Sequence, residues 1–60
     1  MKYYITCETE LGTFYWYGKY WGTLKKSAKI YDTNVIKESA EAAISVIGIS
    51  FLKFSIIREA

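Results

Sequence analysis

Six of the eight residues from Phe14 to Trp21 are aromatic: Phe14, Tyr15, Trp16, Tyr17, Tyr20 and Trp21, with Gly18 and Lys19 between them. This run constrains the fold more than any other feature. A chain of 60 residues has one small core, and it cannot enclose six large rings drawn from a single stretch. Some of them must face solvent or a contact with a partner. The run also has the alternation of a strand. Thr13 to Tyr17 is β-branched and aromatic, so Phe14 and Trp16 share one face while Thr13, Tyr15 and Tyr17 share the other. Phe14 and Trp16 are expected in the core beneath a helix. Tyr15 and Tyr17 are expected on the uncovered face, as partner-binding candidates.

The flanking sequence reads in the same way. Lys2 to Glu8 alternates, with Tyr3, Ile5 and Cys7 inward and Tyr4, Thr6 and Glu8 outward, which predicts a first strand. Glu10-Leu11-Gly12 predicts a turn and makes the two strands a hairpin. Gly18 ends or bends the second strand. Gly18 to Gly22 is expected as a loop with Lys19, Tyr20 and Trp21 at its tip. Thr23 is a candidate cap for a short helical turn over Leu24 to Ser27. Ala28 to Tyr31 follows as a short extended piece, with Ala28 and Ile30 facing the core.

Asp32, Thr33 and Asn34 are alternative caps for the one long helix. Ile36, Ala40, Ala43, Ile44 and Ile47 form its apolar stripe, Lys37 and Glu41 make an i, i+4 pair, and Gly48 stops it. Ile49 to Arg58 is the last strand, with Leu52, Phe54 and Ile56 on one face. Phe51 and Ile57 flank Lys53 and Ser55 on the other. The fold class is α+β: a small antiparallel sheet of three to four strands in the order β-β-β-α-β, forming one domain over residues 1–60, with one helix packed on one face.

A domain this short buries only about 60% of its unfolded surface, so it needs a staple, a metal or a second copy. Cys7 is the only cysteine and there is no histidine. That excludes an internal disulfide and a zinc site of the usual ligands. Self-association is the remaining route, and 52% hydrophobic residues suit it. A homodimer is therefore expected, with Phe51, Lys53 and Ile57 as self-association candidates. Lys53 doubles as a guard against uncontrolled strand pairing. No signal peptide and no run long enough to span a membrane is visible, and an unpaired cysteine fits a reducing compartment. The expected location is the cytoplasm.

Chemistry finds little to work with. Without histidine the usual general base is missing. Cys7 falls on the core face, where it is a small apolar residue rather than a nucleophile. Glu8 and Glu10 lie two apart near a turn and read as a solvated edge. A ligand cleft of ~300 Å³ is expected only between subunits, since pockets of that size are hard to house in so short a chain. No catalytic residue, metal or cofactor is assigned, and the chain is expected not to be an enzyme.

The net charge of +2 hides a local concentration. Residues 19–29 hold Lys19, Lys25, Lys26 and Lys29 and no acid. Together with Tyr20 and Trp21, Lys19, Lys25 and Lys26 are partner-binding candidates. Rings beside lysines can also stack on bases and meet phosphates, so a nucleic-acid-binding module is the alternative reading. Six acids against eight bases argue against mimicry of DNA, which needs a large acidic surface.

The segment Ser27-Ala28-Lys29-Ile30-Tyr31-Asp32-Thr33, followed by a helix with spaced Ala40 and Ala43, resembles small orphan accessory proteins of bacteriophages and other mobile elements. Those open on a strand like Lys2-Tyr3-Tyr4-Ile5, then carry a tryptophan-containing hairpin, an Ala-Lys-Ile-Tyr-x-Thr segment, a helix and a closing strand. Their acidic first helical turn is replaced here by Asn34-Val35-Ile36. The resemblance implies a protein that binds one host protein, such as an anti-phage defence component, and blocks it sterically. A structural subunit of a phage complex, adding its last strand to a neighbouring sheet, is a further alternative.

Overall fold

The computed structural model describes residues 1–47 and 51–59. It has the expected α+β architecture: an antiparallel, curled sheet with one helix packed on one face. The strands are β1 (Lys2–Thr9), β2 (Gly12–Trp16), β3 (Trp21–Gly22), β4 (Tyr31–Asp32) and β5 (Lys53–Arg58). The helix α1 spans Thr33–Ser45, and a single 3-10 turn covers Lys25–Ser27. The expected helix stop at Gly48 and strand start at Ile49 lie outside the described residues.

β1 is the centre of the sheet. Thr6 pairs with Tyr15 of β2 and with Ser55 of β5, and Tyr3 pairs with Tyr31 of β4 and with Arg58 of β5. A strand has two edges, so β5 occupies one edge of β1, and β2 and β4 share the other end to end. β3 adds to the outside of β2 through Tyr15↔Gly22 and Trp16↔Trp21. The β1–β2 turn is tight for local reasons. Thr9 Oγ1 accepts from Leu11 N–H at 3.0 Å and donates to Gly12 C=O at 3.1 Å. Gly12 then takes φ 125°, a backbone region that a side chain disfavours. Gly18, at φ 107°, turns the chain out of β2 as its sequence position suggests.

The core lies between the helix and one face of the sheet. Ile5, Trp16, Ala40 and Ala43 are buried, with Trp21, Tyr31, Ile36 and Phe54 packed around them. Alanines at 40 and 43 let the helix approach the two indoles closely. The Trp16 and Trp21 rings lie 5.2 Å apart, and Trp21 Nε1–H donates to Ala43 C=O at 3.2 Å. The sheet curls far enough that Trp21 of β3 meets Phe54 of β5 at 6.2 Å, across the strands between them.

Several sequence expectations shift for identifiable reasons. Trp21 was expected at a loop tip; it forms β3 and turns its ring inward, because pairing with Trp16 puts both on the core face. Leu24, not Thr23, precedes the 3-10 turn as its cap. Tyr31 packs on the core, whereas Ile30 is exposed, since β4 begins at Tyr31, three residues later than the start expected at Ala28, and pairs Tyr31 with the inward Tyr3. The helix faces the sheet through Ile36, Ala40 and Ala43; Ile44 was expected in the stripe but is 42% exposed. Asp32 caps the helix by position, yet its side chain makes no capping bond. It turns instead to Lys2, with Nζ to carboxylate at 2.8 Å. That is the one ion pair among the described residues; the expected Lys37–Glu41 pair does not close, and exposed pairs of that kind gain little. Leu52 precedes β5 and is exposed rather than facing the core.

Candidate partner-binding surface

Opposed residues in an antiparallel pair share a face. The pairing registers therefore assign each side chain. Tyr4, Thr6 and Glu8 of β1, Thr13 and Tyr15 of β2, and Lys53, Ser55 and Ile57 of β5 all lie on the face away from the helix. Tyr17 joins them from just beyond β2. Gly22 pairs with Tyr15, so a Cβ there would point to this outer face, and it would run into the Tyr17 ring. Gly22 is thus the floor on which Tyr17 lies. Tyr17 Oη accepts from Leu24 N–H at 2.7 Å, which fixes the ring and the start of the 3-10 turn together.

The result is a compact aromatic surface. The Tyr4 and Tyr15 rings are 6.3 Å apart, and Tyr17 and Tyr20 meet edge to face at 5.6 Å. Ile57 stands directly across from Tyr4. Thr6 lies between the Tyr4 and Tyr15 positions and is buried although no helix covers this side. Lys25 Nζ sits 5.8 Å from the centre of the Tyr4 ring. The sheet thus brings together Tyr15, Tyr17 and Lys25 of the sequence candidates, with Tyr20 beside Tyr17 and 63% exposed. Lys19 and Lys26 are exposed, and the ammonium groups placed over rings among the described residues are those of Lys25 and Lys29. Trp21 belongs to the core side.

Tyr4 is the member that the sequence reading passed over. Its signal was present, because the same alternation that placed Ile5 inward placed Tyr4 outward. Only the β1–β2 register shows that it neighbours Tyr15. The self-association candidates also separate. Lys53 and Ile57 share the outer face, while Phe51 precedes β5 and its ring lies 6.2 Å from Phe54, at the margin of the core side.

An apolar cleft of about 270 Å³ opens on the core side, lined by Cys7, Thr9, Phe14, Tyr20, Trp21, Val46 and Ile47. A cleft was expected only between subunits. It forms within one chain because the curl of the sheet and the end of the helix leave a gap beside Trp21. Cys7 lies in its wall, and burial pushes that thiol's pKa up, away from the reactive thiolate. No cluster of three metal-binding side chains occurs among the described residues. No helix among them is long and apolar enough to cross a membrane. Among the described residues, Lys2 and Asp32, exposed partners, also depart from their ordinary pKa values. Their hydrogen bond raises the lysine pKa and lowers that of the carboxyl. The chain matches no family model, no curated protein and no solved structure.

Proposed function

We propose that this chain is a non-enzymatic interaction protein of phage or mobile-element type, which as a homodimer binds a host protein and inhibits it sterically. The host protein would be of the kind that serves in anti-phage defence. One observation carries the binding part: the helix covers one face of the sheet, and the bare face presents Tyr4, Tyr15, Tyr17 and Ile57 with Lys25 among them. Rigid amphipathic rings on a strand surface, fringed by a cation, have the composition of interface anchors. The source and the inhibitory role rest on the resemblance of the Ala28–Thr33 segment and the helix that follows it.

Nucleic-acid binding through residues 19–29 is less favoured by the geometry. Lys25 and Lys29 hold their ammonium groups 5.8 Å and 5.6 Å from the rings of Tyr4 and Tyr31, so two of the four lysines lie over rings of their own chain. The test is capture from nuclease-treated bacterial lysate with tagged protein, in parallel with a Tyr15→Ala variant. The reading expects one stoichiometric host protein whose affinity falls about 30-fold or more in the variant, the size of an interface hot spot of roughly 2 kcal/mol. Recovery of nucleic acid alone when nuclease is omitted, released steeply by salt, would overturn it.

A further inference from the structure

The free edge of β5 has a polarity that can be read residue by residue. Glu59 N–H donates to Lys2 C=O at 2.8 Å, and Leu52 N–H donates to Glu8 C=O at 2.7 Å. Even-numbered residues of β1 therefore turn their backbone groups toward β5. In an antiparallel ladder the opposed residues of β5 do the same in return. Those are Ser55, Ile57 and Glu59, in register with Thr6, Tyr4 and Lys2. The alternate residues Phe54, Ile56 and Arg58 then direct their N–H and C=O groups outward, with no strand beyond them among the described residues.

The two edges of the sheet differ. On the far side the outer strands β3 and β4 are two residues long each; β5 is six, with no proline and no positive-φ residue in it. A very short strand is one usual protection of an edge, and β5 is not short. The helix packs mainly over β1 and β4, and it is Phe54 that carries β5 into the core. Ile56 is 44% exposed although Ile5, its partner across the ladder, is fully buried.

We propose that β5 pairs antiparallel with β5 of a second copy of this chain, about a two-fold axis through Ile56. The inference deepens the homodimer part of the proposed function and rests on it. Backbone parity permits only registers in which outward-facing residues oppose one another. Centring on Ile56 sets Ile56 against its own copy, Phe54 against Arg58, and Lys53 against Glu59. Both ends of the two-fold pair then bring opposite charges together, and an arginine lies across from a ring. Shifting by two positions in one direction sets Lys53 against Ile57; shifting in the other sets Arg58 against Ile56. Lys53 and Glu59 share the outer face and are exposed. Glu59 also acts on Lys2, which Asp32 already holds, and Lys53 stands across from Glu8 without a closed ion pair among the described residues. Lys53 thus selects one register as well as discouraging others. The helices do not collide. The two β1 strands stand three strand spacings apart, about 14 Å, and a helix with its side chains is about 10–12 Å across.

The discriminating variant is Ile56→Pro. Proline removes an outward N–H that β1 does not use, and such positions tolerate it on an edge. The expected result is a variant with native circular dichroism that is monomeric by light scattering at concentrations where the wild type is a dimer. In parallel, Lys53→Glu and Glu59→Lys should each weaken dimerisation roughly tenfold, and the double exchange should recover most of that loss, as two symmetric cross-strand charge pairs predict. A fully dimeric Ile56→Pro chain, or a double exchange no better than the singles, overturns the β5 pairing while leaving a homodimer of another geometry. A wild type that stays monomeric at several hundred micromolar (on the order of the range where weak dimers form) overturns both this pairing and the homodimer. Capture of a host protein through Tyr15 is read separately and survives either failure.

Discussion

On the helix side of the sheet, Ile5 and Trp16 are enclosed by two alanines of α1 and by Trp21, and the packing leaves them almost no exposure. On the outer side, Tyr4, Tyr15 and Tyr17 rest half-buried on a floor of Thr6 and Gly22, with the Lys25 ammonium over Tyr4 and no helix above them among the described residues. Both faces are rich in rings, yet they hold those rings by different means. The inner rings are fixed by volume: small helix residues set the distance and the indoles fill it. The outer rings are fixed by polar ties and by neighbours in the plane, such as the Tyr17 hydroxyl accepting from Leu24. A face of the first kind stabilises the chain, and a face of the second kind stays available for another molecule.

The sharpest way to break the comparison is Ile5→Ala. Deleting a fully buried isoleucine costs about 2–5 kcal/mol, while a domain of this size has roughly 3–9 kcal/mol in total. The variant should lose a large part of its stability, with a much lower urea midpoint by circular dichroism. Its Cys7 thiol, slow to react in the wild type, should then label rapidly. Gly22→Ala tests the outer floor. The new methyl displaces the Tyr17 ring, which cannot move without giving up Leu24 N–H, and urea titration should show a loss of about 1–3 kcal/mol. Tyr15→Ala should lower stability by about 1 kcal/mol or less, the range of a cross-strand pair. A larger loss would mean that the outer face is structural after all.

The smallest effect belongs to Lys2→Met. Asp32 has a lowered pKa, so its share of stability is present above the ordinary carboxylate range and is lost as pH falls through the lowered value. Lys2 has a raised pKa, so its share is present below the ordinary lysine range and is lost as pH rises through the raised one. Between those limits the pair contributes evenly, and both side chains are exposed. The variant should return the Asp32 carboxyl to its ordinary titration by NMR and leave the thermal midpoint almost unchanged.

The inner face was the legible one. Alternation in Lys2–Glu8 and Thr13–Trp16 is a local signal, and so is the spacing of Ile36, Ala40 and Ala43. Each survives because the partner face demands it. What escaped was set by pairing between distant segments. Trp21 lies in a stretch rich in loop residues, and only its rung with Trp16 turns it inward. Ile44 fits the helical stripe, but the helix packs mainly over β1 and β4 and leaves Ile44 42% exposed at the flank. Tyr4 could be assigned to the outer face from the sequence, and its place beside Tyr15 could not. The cleft beside Trp21 arises from sheet curl, which no short pattern encodes.

The bond from Glu59 N–H to Lys2 C=O has a mechanical consequence. It holds the beginning of β1 beside the end of β5, at the same pole of the molecule. A pull that separates those two points loads the ladder one rung at a time, from Tyr3–Arg58 toward Glu8–Lys53. The strands would peel like a zipper and never bear the load together in shear. An unfolding machine that grips either end would meet low resistance at the central strand, however well Ile5 and the indoles are packed. The same core that resists urea would give way readily to force.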